Sequence, residues 1–113
     1  MNALGGAAER RVRRHYRLRG FSVLAANARA GGNELDLVLR RGGRLVFCEV
    51  KMRSGTGFGD PLEAIDPEKV RRLRRAAEAF LARHPQLRRL EVAFEAAAVR
   101  GRRIERVPLD LAS

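Results

Sequence analysis

The dipeptide Gly42-Gly43 stands between two apolar-rich runs, Glu34 to Arg40 and Arg44 to Lys51. A glycine pair at that place admits the positive φ angles of a two-residue turn, so the pattern predicts an antiparallel hairpin. The turn sets Arg41 opposite Arg44. The same register sets Val38 opposite Phe47, Asp36 opposite Glu49 and Glu34 opposite Lys51. Side chains alternate between the faces of a strand. One face therefore carries Leu35, Leu37 and Leu39 with Val46, Cys48 and Val50; it is wholly apolar and must meet a helix. The other face is apolar beside the turn and charged at its far end.

The segments around the hairpin supply candidate partners. From Leu4 to Arg19, Ala8, Val12 and Tyr16 recur at helical spacing, and Gly20 follows as a C-terminal cap. Phe21 to Ala26 reads as a short strand and Asn27 to Asn33, with Gly31-Gly32, as a loop. Ser54 to Asp60 holds three glycines and reads as a flap-like loop beside the hairpin. Asp66 before Pro67 has the form of an N-cap followed by proline at the first helical position. That helix runs to about Arg83 and buries Val70, Leu73, Ala77, Phe80 and Leu81. Leu90 to Val99 and Ile104 to Val107 read as strands around Gly101, with Pro108 suited to an edge. A helix, three strands, a helix and two strands make a layered α/β arrangement.

At 113 residues and 45% hydrophobic, the chain fits one domain, 1–113, with a core of its own. No apolar run approaches the ~20 residues of a membrane span, and Met1 to Arg14 has no signal-peptide character. The lone cysteine, Cys48, excludes an internal disulfide and a paired-cysteine zinc site, and its face makes it a core residue. These features describe a soluble cytoplasmic protein with no membrane partner.

Charge narrows the partners. The formal net charge is +11, and Lys51 and Lys69 are the only lysines, leaving 22 arginines among the 24 basic residues. Such a chain favours polyanions; DNA, RNA and the ribosome all qualify. The arginines of 10–19 and 71–75 are either solvated helix faces or phosphate contacts. Arg10, Arg13, Arg53, Lys69 and Arg72 are the candidate nucleic-acid contacts. An aromatic content of 5% argues against recognition by base stacking.

The hairpin register creates one conflict. Asp36 and Glu49 become like-charged cross-strand neighbours on apolar strands, which costs stability. Three remedies are open: one carboxyl keeps its proton, Lys51 neutralises part of the charge, or a cation bridges the two. A divalent cation is the economical one, since Mg²⁺ takes oxygen ligands and commonly one or two carboxylates. Such an ion polarises a phosphoryl oxygen and acidifies bound water, with Lys51 placed to orient that water. A structural ion-pair network is the bland alternative, with Glu34 and Lys51 forming a cross-strand salt bridge and Glu9 acting as a helix-dipole partner.

The run Glu34-Leu35-Asp36-Leu37-Val38 followed by Val46-Phe47-Cys48-Glu49-Val50-Lys51 resembles the PD-(D/E)XK nuclease motif. With Glu9, Phe58-Gly59-Asp60-Pro61-Leu62-Glu63-Ala64 and Lys69, the chain is similar to the YraN-like family of uncharacterised bacterial proteins, related to archaeal Holliday-junction resolvases. Leu35 stands where the motif's name has proline, and Asn33 where glycine is expected. The resemblance implies a restriction-endonuclease-like fold, a central mixed five-stranded sheet flanked by helices. It implies metal binding by Asp36, Glu49 and the Val50 carbonyl, a metal shell completed by Glu9, and assistance to water by Lys51. The implied cofactor is Mg²⁺ or Mn²⁺ and the implied substrate DNA, branched if the resolvase likeness extends that far. A homodimer would suit such a substrate. The alternative is a non-catalytic nucleic-acid-binding protein of the same fold.

Overall fold

Helix α1 (Ala3–Arg17) stops because of Gly20. With φ at +89°, Gly20 turns the chain so that its own N–H reaches Arg17 O and the Phe21 N–H reaches Tyr16 O. These two bonds are a Schellman cap. The computed structural model describes residues 3–53 and 67–109. Within them five strands follow: β1 (Ser22–Ala30), β2 (Asn33–Arg41), β3 (Arg44–Arg53), β4 (Glu91–Arg100) and β5 (Arg103–Leu109). Helix α2 (Pro67–Arg83) lies between β3 and β4 in the chain, and a single 3-10 turn, Pro85–Leu87, leads into β4.

The sheet order is β1-β2-β3-β4-β5. Pairing is antiparallel except between β3 and β4, which run parallel. A parallel pair requires a crossover, and α2 belongs to it. The result is a mixed five-stranded sheet flanked by two helices, the arrangement expected of a restriction-endonuclease-like fold. Pro108 falls on β5, an edge strand, as a residue without an N–H must.

The central hairpin has the expected register from Arg41–Arg44 to Leu37–Cys48. Its α1-facing side holds Leu37, Leu39, Val46 and Cys48 beneath Ala8, Val12 and Tyr16. Its other side holds Val38, Leu45 and Phe47 beneath Leu73, Ala76, Ala77 and Phe80. Each fully buried large apolar side chain contributes about 1.5–3 kcal/mol, and the hairpin is covered on both faces.

Two expectations are corrected. Asn27 to Asn33 is not a loop: β1 continues to Ala30, and Gly31-Gly32 alone form the turn into β2. Both glycines have positive φ, as a two-residue hairpin turn needs. At Gly31 a side chain would also stand 3.1 Å from Ala79 Cβ, because α2 packs directly on this turn. Polar Asn27, at φ 52°, disguised the strand. Leu35 is the second correction: it joins the α2 cluster instead of the α1 face, because alternation lapses where β2 and β3 stop pairing. The Ser54 to Asp60 loop, the 58–64 segment and the Asp66 cap lie outside the described residues. No helix among the described residues is long and apolar enough to cross a membrane.

Candidate functional site

The site forms where the hairpin opens. Pairing of β2 with β3 ends at Leu37–Cys48, one step before Asp36 would face Glu49. The direct cross-strand opposition expected of these two acids is therefore absent. Instead Asp36 Oδ2 accepts the Val50 N–H at 2.8 Å, filling the gap left by the interrupted ladder. In a strand, a residue's carbonyl points to the same side as its N–H, so the Val50 carbonyl faces this opening too.

Three carboxylates converge there. Glu9, Glu34 and Asp36 each place an oxygen within 4.8 Å of the others. Glu9 comes from α1, where it follows Ala8 of the buried stripe, and its Oε2 accepts a hydrogen bond from Asn27 Nδ2 at 2.8 Å. Asn27 is the residue of β1 with left-handed backbone, so the irregularity in that strand aims a donor at Glu9. Glu34 and Asp36, two residues apart on β2, both line the opening. Glu49 lines the same opening but is held by Lys51, with Nζ 3.3 Å from Glu49 Oε1. The expected Glu34–Lys51 bridge is thus replaced by one within β3, because the ladder that would have set it has already ended.

A pocket of about 270 Å³ opens from this point toward α2. Glu34, Asp36 and Glu49 line it from the sheet; Lys69, Arg72 and Leu73 line it from the helix. Burial pushes the Asp36 carboxyl up to about 7. The Val50 N–H works against this, but Glu49, Glu9 and Glu34 all push the same way as burial. Among the described residues, the charges that act on Asp36 most strongly are carboxylates, in a chain with 22 arginines.

The structure thus brings together Glu9, Asp36, Glu49, Val50, Lys51, Lys69 and Arg72. Arg10 is exposed and Arg13 half-buried on α1, and neither lines the pocket. Arg53 is the last residue of β3, opposite Arg100, and its side chain lies outside the described residues. Glu34 is the member that the sequence read first as a salt-bridge partner of Lys51, with a role at the metal site as the other alternative; it joins Glu9 and Asp36.

A second polar cluster was not foreseen. Glu95 is the buried charged residue among those described. Tyr16 donates to its Oε1 at 2.6 Å, and Arg106 grips both oxygens through Nε at 2.9 Å and Nη2 at 3.2 Å. The Arg106 guanidinium also lies 4.5 Å over the Tyr16 ring. Burial raises the Glu95 carboxyl, but the Arg106 and Tyr16 hydrogen bonds outweigh it and hold it below the ordinary value. A lone acid within the apolar run Val92 to Val99 was its trace in the sequence.

Residues 8–101, which include all the carboxylates of the site and Lys51, match the model of an uncharacterised protein family, UPF0102. The chain belongs to the UPF0102 family. This is the YraN-like family that the motif residues resemble. A UPF0102 protein of Acidothermus cellulolyticus is 46% identical over 86 residues, covering 76% of this chain and 65% of the relative. One of Frankia alni is 50% identical over 84 residues, covering 74% and 70%. A UPF0102 protein of Synechococcus sp. is 44% identical over 100 residues, covering 88% and 76%. The chain therefore spans about two thirds to three quarters of the length of these UPF0102 relatives.

Proposed function

We propose that this UPF0102 protein is a metal-dependent nuclease that hydrolyses phosphodiester bonds in DNA. The observation that carries the reading is the setting of Asp36: half-buried, with Glu9, Glu34 and Glu49 as the charged groups that act on it most among the described residues. A protein so rich in guanidinium groups that brings three carboxylates together, with Glu49 beside them, has room for a cation from solution. The donors fit Mg²⁺ or Mn²⁺, being hard oxygens of three carboxylates with a backbone carbonyl beside them. When bound, such an ion supplies a Lewis acid for a phosphoryl oxygen and lowers the pKa of water.

The chain's own residues do the rest. Glu9, Glu34 and Asp36 hold the cation, with the Val50 carbonyl at hand. Glu49 anchors Lys51, whose ammonium is thereby held beside the site to orient the attacking water and to offset charge growing on the phosphate. Lys69 and Arg72, on the facing helix wall, hold the nucleic-acid backbone over the carboxylates. Asn27 fixes the Glu9 carboxylate through its hydrogen bond and so keeps the cluster in place.

The test is to incubate the protein with linear, flapped and four-way DNA, with Mg²⁺ or Mn²⁺ and with chelator, beside Asp36→Ala and Lys51→Ala. Metal-dependent cutting that both variants lose is the expected result. A preference for four-way DNA identifies the branched substrate implied by the resolvase likeness. Binding without cutting under every condition replaces the nuclease by a non-catalytic nucleic-acid-binding protein of the same fold.

A further inference from the structure

We propose that the end of the sheet opposite the carboxylates is a second contact surface for the nucleic-acid backbone, so that a duplex lies along the sheet and touches both ends. The proposal rests on the nucleic-acid reading above. Six arginines gather there from three separate parts of the chain. Arg40 and Arg41 end β2 and Arg44 begins β3, on either side of the Gly42-Gly43 turn. Arg88 and Arg89 follow the 3-10 turn, and they reach this end because the Glu91 N–H donates to Gly43 O at 2.8 Å. Arg19 follows α1, and its neighbour Gly20 lies against the Arg41 side chain.

The side chains are presented outward. Arg19, Arg41, Arg44, Arg88 and Arg89 are exposed and Arg40 is half-buried. Three are held in place: Arg19 Nη1 donates to His15 O at 2.9 Å, Arg40 Nε donates to Gly42 O at 2.9 Å, and the Arg41 guanidinium sits 5.7 Å from the centre of the Phe21 ring. Among the described residues the nearby acids do not balance them. Glu91, opposite Arg44 in the β3–β4 register, is one carboxylate against six cations. Glu95, close enough to feel Arg44, is already taken by Arg106 and Tyr16. Like charges concentrated in this way repel one another, and a polyphosphate is the partner that relieves all of them at once.

The spacing suits a duplex. Arg44 and Lys51 are seven positions apart on β3, about 23 Å at ~3.3 Å per residue. That is roughly seven base pairs at ~3.4 Å per phosphate along a strand. Lys69 and Arg72 mark the pocket end of this span and the six arginines mark its other end.

The experiment measures affinity for a linear duplex of about 24 base pairs against salt concentration, by fluorescence anisotropy in chelator. The parent is compared with a fourfold variant, R41Q/R44Q/R88Q/R89Q, and with a pocket-end variant, K69Q/R72Q, each confirmed folded by thermal melting. If both ends touch the backbone, the fourfold variant binds roughly tenfold or more weakly at low salt, and its log–log salt slope is shallower by up to about 3.6, near 0.9 for each phosphate no longer neutralised. The two sets of changes add when combined, since the sites are far apart. An unchanged slope in the fourfold variant overturns the proposal and leaves these arginines as solvated charge, whatever the pocket does. A parent that binds no duplex overturns the nucleic-acid reading and this proposal with it. Binding with an intact two-end slope but no cutting overturns the nuclease alone.

Discussion

Asp36 and Glu95 are both acids set into strands of one sheet, and their surroundings are opposite. Glu95 has a cation and a hydroxyl built in: Arg106 takes both oxygens and Tyr16 a third bond. Asp36 has a single backbone N–H and three further carboxylates. The first arrangement holds its acid ionised and closed to other ligands; the second pushes its acid up to about 7. Two acids in one sheet thus differ in their partners among the described residues: one is held by a guanidinium and a hydroxyl, the other stands beside further carboxylates.

Breaking the satisfied acid should cost the most. Arg106→Met strips Glu95 of its cation while keeping most of the volume, and is expected to lower unfolding free energy by about 3 kcal/mol in urea denaturation, the range for removing one partner of a buried pair. A loss below about 1 kcal/mol would place the two acids on the same footing.

The unsatisfied acid should respond in the other direction. The folded-state value of Asp36 lies above its ordinary 3.8, so its contribution to stability is present at low pH and lost as pH rises through about 7. In chelator, Asp36→Asn is therefore expected to gain on the parent between pH 4 and pH 9, by on the order of 2 kcal/mol after screening by solvent. Melting curves across that range check the sign; a parent that gains on the variant as pH rises would overturn it.

Metal should erase that penalty. At ten times its dissociation constant, Mn²⁺ is expected to stabilise the parent by about 1.4 kcal/mol at neutral pH and to leave Asp36→Asn unmoved. Stabilisation of both alike would locate the ion elsewhere. The smallest effect on stability is expected for Lys51→Met, under about 1 kcal/mol for a partly exposed pair, alongside complete loss of cutting. That split between folding and activity separates a working lysine from a structural one.

Much of the fold was legible in short-range pattern. The Gly42-Gly43 hairpin, both helices, and the strands around Gly101 follow from local periodicity and turn chemistry. The second half of β1 was not, because Asn27 and the glycines that follow it look like loop when read singly. Of the site, Asp36, Glu49 and Lys51 were visible as a cluster, and neutralisation by Lys51, two residues from Glu49 on the same strand, was among the readings; the early end of the β2–β3 register was not. The register implied Asp36 against Glu49 and Glu34 against Lys51; the structure has Asp36 on Val50 and Lys51 on Glu49.

Alternation around a glycine turn decides register and faces, because a strand's period of two is a property of neighbouring residues. Where that register ends is a different matter. It depends on the twist of the whole sheet and on the helices above and below it. Only packing could carry Glu9 from α1 to Glu34 and Asp36, or bring Tyr16, Glu95 and Arg106 together from three elements. Contacts between distant parts of a chain are chosen by what fits against the finished sheet, and no local pattern records them.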